Sequence, residues 1–366
     1  MENTHKLDTS EAISIIIIIM INKLILNIPY YIVDLVGTGA IVNLIYVGII
    51  DFLLMLLIIK LLDNFDTFGI LDISEYLGGK ILKTIMGIIS ITIFFLVSFI
   101  TLIDFSNVLH TIYFSNFPMI YIIFYFIIGI LISNLIGFKS ISRTISFIVP
   151  FSIFSVIITF VTAWKDLDFY SLTPILGDNL SQTFITGLNN CFSMYIILYI
   201  YYLKPLLKEK ENFKKISVIS YVISFALLIL SIIPMLSLFN TSTSSEPINS
   251  LFLFTRQIEL GRFLQRVDAL FIFLWIFAIF SYLSFILFLI NRIIYKLIPV
   301  SDEKMLTYST SSILFGLALI PINISNIHFI EDTIYKYIII GFTFILGIII
   351  LLFANLKKKK HSNSNL

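Results

Sequence analysis

Long apolar runs, each roughly 17 to 25 residues, alternate along this chain with short stretches of lysine, aspartate, asparagine and serine. Runs of that length match the roughly 30 Å hydrocarbon thickness of a bilayer at about 1.5 Å rise per residue, so they predict spanning helices and not barrel strands. The spans fall near residues 11–35, 40–62, 82–105, 117–136, 143–163, 185–203, 216–239, 266–290, 306–322 and 334–355. With this assignment eighteen of the 24 lysines and arginines fall on one side, five fall on the other, and Lys23 lies inside a span. By the positive-inside rule both termini are expected on the cytoplasmic side. The first apolar run lacks a following small-residue cleavage site and reads as a retained span. Between the second and third spans, LDISEYLGGK reads as a short interfacial helix or turn.

Two of the ten spans are not uniform. In the first, ISIIIIIMI is followed by Asn22, Lys23, Asn27 and Pro29. A proline removes one helical hydrogen bond and clashes with the carbonyl four residues earlier, near Ile25. The freed backbone must then be satisfied by protein or ligand. In the sixth, Gly187, Asn189, Asn190, Cys191 and Ser193 interrupt the entry. Matching breaks five spans apart are what a five-plus-five inverted repeat predicts, with a binding site at the midplane between discontinuous helices. The expected fold is therefore an all-α integral membrane protein of ten transmembrane helices. Residues 1–10 form a cytoplasmic N-terminus, 11–163 a first repeat of five spans, 164–184 an outer loop, 185–355 a second repeat and 356–366 a basic cytoplasmic tail.

The candidate ligand contacts are Asn22, Lys23, Leu24, Asn27, Asn189, Asn190, Ser193 and Ser281, with Ser98 and Thr101 at plausible site depth. Each has a plainer reading. Asparagine and serine also glue packed helices, a serine hydroxyl commonly bonds back to its own helix, and a lysine can snorkel to an interface. The sharper reading of Lys23 is a fixed cation that replaces a coupling sodium ion or pairs with Asp34, Asp104 or a ligand carboxylate. Asp51 and Asp104 are expected to point into the bundle, Asp104 alternatively to cap a helix end. YIILYIYY, from Tyr195 to Tyr202, reads as packing and an interfacial aromatic belt. Arg262, Arg266 and Asp268 stand at the mouth of the eighth span, where Arg266 and Asp268 are expected to act as a structural charge pair.

Composition narrows the class. A mean hydropathy of +1.02 excludes an ordinary soluble domain. A net charge of +2 is too small for a nucleic-acid binder, and one cysteine excludes an internal disulfide. No nucleophile–base pair, metal-ligand spacing or phosphate-binding loop is visible, so neither an enzyme nor a cofactor is expected. The Asn-x-Ser patterns at Asn179, Asn240 and Asn323 read as chance.

The segment PINSLFLFTRQIELGRFLQRVDALFIFLWIFAIFSYLSFILFLI, with Arg266, Asp268 and Trp275 in order, resembles the GerAB-type spore germination proteins. TPILGDNLSQTFITGLNNCFSMYIILYIYYLKPLLKEKENFKK is similar to that family's outer loop, sixth span and lysine-rich loop. The resemblance covers nearly the whole chain. It implies the fold of the amino acid, polyamine and organocation transporter superfamily, and the role of B subunit of a nutrient germinant receptor. It further implies the spore inner membrane, an A-type membrane subunit and a C-type lipoprotein as partners, and a small nutrient ligand such as an amino acid. Where the family often carries Gly-Thr-Gly in the first break, this chain has Asn22, Lys23 and Leu24. Where the family often carries Pro-Phe-Gly-Glu, it has Ser193, Met194, Tyr195 and Ile196. Bulk at Lys23 and Tyr195 narrows or refills a pocket. Two other roles fit the residues: an amino-acid permease working by alternating access, and a degenerate scaffold or ion-conducting subunit whose pocket is filled by its own side chains.

Overall fold

The computed structural model describes residues 5–26, 28–65, 68–163, 169–238, 267–298, 300, 302–320 and 336–364. These residues form helices and turns. An isolated β-bridge joins Leu7 to Leu207. Among the described residues, seven segments are long and apolar enough to cross a membrane: Ile28–Asp63, Ile70–Ile112, Met119–Ile136, Phe138–Ile158, Lys210–Leu236, Phe271–Leu297 and Lys336–Lys360. The chain is an integral membrane helical protein.

The predicted first span is two helices, α1 (Thr9–Ile25) and α2 (Ile28–Val36). Leu26, at φ −76° and ψ −110°, leaves the helical region. Pro29 stands second in α2, where its missing N–H costs no helical bond, so the proline begins a helix instead of kinking one. Helix α3 (Ala40–Asp63) follows the turn at Gly37–Gly39. Helix α4 (Ile70–Ile112) contains a kink at Gly78 and Gly79, where Gly79 has φ +68°, so the interfacial helix expected there is its first two turns. Because α4 runs on to Ile112, Asp104 lies inside it and caps no end. Helices α5 (Met119–Ile136) and α6 (Phe138–Ala163) meet at Gly137, whose φ of +115° a side chain would strain.

The predicted sixth span is not a continuous α-helix. A short α7 (Leu180–Phe184) leads into the 3-10 segment Thr186–Met194, and α8 (Ile197–Leu203) follows. Asn179 caps α7, its side chain accepting from Ser181 N. Beyond lie α9 (Phe213–Leu238), α10 (Val267–Leu297), α11 (Glu303–Ala318), α12 (Lys336–Ile340), a π turn at Gly341–Leu346 and α13 (Gly347–Ser364). The predicted ninth span corresponds to α11, which has 16 residues.

Helix α10 packs most heavily on α4 and α6, and α1 packs on α6, α9 and α10. Both α1 and α10 are therefore central: Ile15 to Ile21 and Phe285 to Ile290 are all buried. Close approach fixes this arrangement. A Cβ on Gly129 of α5 would lie 2.2 Å from Phe280 Cε2 of α10.

Basic residues gather at one end of the bundle. Lys204 Nζ bonds Asp63 Oδ1 at 3.0 Å and Leu62 O at 2.9 Å. Lys296 Nζ reaches both oxygens of Asp72 at 2.7 Å, and Lys83 reaches Glu75 at 2.7 Å. The N-terminal approach is tied to the same end: Leu7 N donates to Leu206 O (2.9 Å), Lys208 N to Leu7 O (3.0 Å) and Lys6 Nζ to Pro205 O (2.7 Å). Lys357 of α13 donates to Tyr76 O at 2.7 Å. The start of α1 and the end of α13 thus share one face.

Gly129→Leu is expected to destabilise the detergent-solubilised protein by about 1–3 kcal/mol through overpacking at Phe280, measured as a lower melting temperature.

Candidate functional site

The two interrupted spans meet. Tyr195, just after the 3-10 segment, donates its hydroxyl to Ile19 O of α1 at 2.7 Å. One turn on, Tyr199 OH lies 3.1 Å from Tyr282 OH of α10, and Tyr202 OH donates to Ser90 Oγ of α4 at 2.5 Å. The 195, 199, 202 spacing is helical and sets the three rings along one face aimed at α1, α10 and α4. The rings of Tyr195 and Tyr199 are 6.0 Å apart, edge to face. The aromatic run is therefore an interior element and not an interfacial belt, since Tyr195, Tyr199 and Tyr201 are each at most 2% exposed. Tyr201 OH donates to Thr343 O of the π turn at 2.6 Å.

Lys23 lies at this junction. It is 0% exposed, so it does not snorkel, and its Nζ is 5.8 Å from the Tyr195 ring centroid. Its charge also acts on the Tyr282 phenol, around which the Tyr195, Tyr199 and Thr101 hydroxyls are gathered. Asn22, also 0% exposed, donates from Nδ2 to Ile18 O (2.7 Å) and to Ala278 O of α10 (3.2 Å). Three buried oxygens here, Asn22 Oδ1, Thr101 Oγ1 and Ser281 Oγ, accept no hydrogen bond from the described residues. Leu24 is buried beside them in sequence.

The remaining candidates divide. Ser98 bonds back to Phe94 O at 2.7 Å and Ser284 to Phe280 O at 2.8 Å, the plainer fate of a helical serine. Ser281 departs from it. Asn190 serves a second junction: its Nδ2 donates to Asn43 Oδ1 of α3 at 2.7 Å, and Asn43 Nδ2 donates to Thr183 O at 2.7 Å. Asn189 is half-buried on the same 3-10 segment. Ser193 lies in that segment, its side chain outside the described residues. Asn27, Arg262 and Arg266 are outside the described residues, and Asp268 opens α10 with its side chain likewise outside them. The expected Arg266–Asp268 pair therefore falls beyond this description.

Asp51 of α3 is 0% exposed and points inward as expected. Beside it are the Cys191 thiol of the 3-10 segment and the Tyr221 phenol of α9, which donates to Gly48 O at 2.7 Å. Asp104 is also inside the bundle, 5% exposed. Among the described residues no cluster of three His, Cys, Asp or Glu could hold a metal. A crevice of about 770 Å³ opens at the basic end, lined by His5, Lys139, Phe288, Asn291, Lys304 and Thr307 among others. Two residues at the junction are absent from the sequence-based contacts: Tyr199, expected only as part of an aromatic run, and Tyr282. The i, i+4 repeat of tyrosine after a break is the signal that could have found the first; Tyr282 carries none.

Tyr195→Phe is expected to cost about 1 kcal/mol by deleting one buried hydrogen bond between the broken spans. Gly187→Ala is expected to cost about 1–3 kcal/mol, because its Cβ would lie 2.1 Å from Asn43 Nδ2 and break the Asn43 bridge. Melting temperatures of the two variants in one detergent check both.

Residues 6–327 match the family described as spore germination protein. A search of curated proteins gives no match. The matched region takes in both helix breaks, the tyrosine face and all of α10. A membrane protein built of apolar helices around two interrupted ones, and matched over most of its length, belongs to the GerAB-type spore germination protein family of permease-like, germination-associated proteins.

Proposed function

We propose that this chain is the B subunit of a nutrient germinant receptor, and that a small nutrient, an amino acid by preference, binds where the two broken spans meet. The observation that carries this reading is the Tyr195–Ile19 hydrogen bond, which joins the two irregular segments beside a buried cation. Helix breaks in a bilayer persist only where protein or a ligand satisfies the freed backbone, and such breaks are the usual ligand sites of transporter folds. The nutrient acts by binding one arrangement of the breaks more tightly than another, which shifts their equilibrium.

In this reading the chain has ten spans arranged as a five-plus-five inverted repeat, as in the amino acid, polyamine and organocation transporters. The gathering of Lys83, Lys204, Lys208, Lys296 and Lys357 at the end shared by both chain ends supports a cytoplasmic, spore-core placement of that face. The membrane is the spore inner membrane, and the partners are the A-type and C-type receptor subunits. Arg266 and Asp268 brace the entry of α10.

A second reading has one observation in its favour. Lys23 and Tyr195, at 0% and 2% exposure, occupy the junction themselves, as a scaffold subunit with a filled pocket would have it.

Detergent-purified protein is expected to melt higher with one or a few members of a panel of amino acids and nucleosides. A ligand at a hundred times its Kd adds about 2.7 kcal/mol. The rise should shrink in Asn190→Leu, and vesicles bearing the protein should not accumulate the same solute. Concentrative uptake would favour the permease; a flat panel for folded protein that still captures an A-type subunit would favour the filled scaffold.

A further inference from the structure

The crevice at the basic end lies where α5 and α11 reach the membrane rim. It is bounded by the α5–α6 turn at Gly137, by Phe288 and Asn291 of α10, and by Asp302, Lys304 and Thr307 at the start of α11. At about 770 Å³ it falls within the roughly 300–1,000 Å³ typical of small-ligand sites. One edge is apolar: Ile136, which lines the crevice, is exposed, as are Ile132 one turn before it and Met305 and Tyr308 on α11. Exposed apolar side chains at the end of a spanning helix face lipid, so this edge lies at headgroup depth. Helices α5 and α11 pack on each other, with the Phe124 and Phe315 rings 5.8 Å apart farther along the seam. The polar lining carries both signs. Lys139 and Lys304 supply two ammonium groups, and Asp302 and Glu303 two carboxylates. Among the described residues neither lysine ammonium has an ion pair or hydrogen bond. Asp302 caps α11 through Oδ1, which accepts from Lys304 N at 2.8 Å, and its Oδ2 has no bond among them. A zwitterion with an anionic phosphate and an N–H-bearing ammonium answers both signs with charge-assisted hydrogen bonds.

We propose that this crevice binds the headgroup of phosphatidylethanolamine from the leaflet at the basic end, phosphate toward Lys139 and Lys304 and ammonium toward Asp302. The inference is independent of the reading of the helix breaks as a ligand site. The acyl chains of such a lipid continue from Ile136 along the apolar α5–α11 seam. An anionic phosphatidylglycerol brings a phosphate but leaves the carboxylates unanswered. Phosphatidylcholine brings both charges, but its quaternary ammonium has no N–H to donate. The chemistry therefore ranks the ethanolamine lipid above both. Through His5 and Asn291 the crevice also touches the approach to α1 and helix α10, so a bound lipid stabilises the folded bundle.

The test uses delipidated full-length protein in mixed micelles carrying phosphatidylethanolamine, phosphatidylcholine or phosphatidylglycerol with identical chains. The ethanolamine lipid is expected to raise the melting temperature saturably, by about 2–4 °C, and the other two by clearly less. Asp302→Asn keeps a helix-capping side chain and removes the charge. It should melt like wild type without lipid and respond equally to the ethanolamine and choline lipids. Lys139→Gln combined with Lys304→Gln should blunt the response to all three. Lys215→Gln, at a second crevice lined also by Asp8 and Lys208, should leave the ranking unchanged. Equal responses to the three lipids in wild type overturn the proposal, as does an ethanolamine preference that survives in Asp302→Asn. If Asp302→Asn does not fold, Asp302→Ser, which also caps, takes its place. Soluble glycerophosphoethanolamine separates a free zwitterion from a lipid: a full shift from it alone overturns the lipid assignment, and a negligible one supports it. Loss of the ethanolamine preference in Lys215→Gln would make the effect one of general surface charge and would likewise remove the site.

Discussion

A backbone hydrogen bond left open inside a bilayer has no water to turn to, and the centre of this protein is organised around that constraint. The first break, at Leu26, frees polar backbone beside Pro29, and the 3-10 segment Thr186–Met194 carries poorer hydrogen bonds than an α-helix would. The chain brings these two weak places to each other and to α10. Tyr195 spends its hydroxyl on Ile19 O, Asn22 its amide on Ala278 O, and Asn190 its amide on Asn43. Each of these bonds crosses between elements, so none survives if the elements separate. The polar centre therefore holds the two interrupted segments to their neighbours.

The surroundings of these bonds are close-packed. Large aromatic side chains pack against the tyrosine face: Phe94 lies 5.5 Å from Tyr199 and 5.2 Å from Tyr202, and Phe285 6.4 Å from Tyr199. Interiors packed to that degree shift between discrete arrangements and do not deform smoothly. On the proposed receptor reading, a small ligand need only choose between such arrangements.

Much of this was legible in the sequence because its causes are local. Pro29 and the Asn22–Lys23 pair in an apolar run fix the first break, and glycine with asparagine at 187, 189 and 190 fixes the second. Inward pointing of Asp51 follows from the cost of a charge facing lipid. What escaped depends on pairing between distant segments. The tyrosines from residue 195 read as packing and an interfacial belt; the packing holds, and the belt does not, because burial within the bundle is invisible until α8 is seen to be short and enclosed. Lys23 was open between snorkelling and interior placement, since one lysine at uncertain depth satisfies both. Asp104 seemed able to cap a helix end only because the span was drawn seven residues too short; α4 continues to Ile112. The divergent fates of Ser98 and Ser281, one bonded to its own helix and one not, have no sequence signal at all.

The central claim is that the two broken segments face each other across Lys23. It is tested most directly by introducing Ile19→Cys and Tyr195→Cys together in a Cys191→Ser background and treating membranes with a short bifunctional thiol reagent. The account predicts an intramolecular cross-link, formed as readily as the one in an Asn43→Cys, Asn190→Cys control pair. A control pair that cross-links while the Ile19→Cys, Tyr195→Cys pair does not would contradict it.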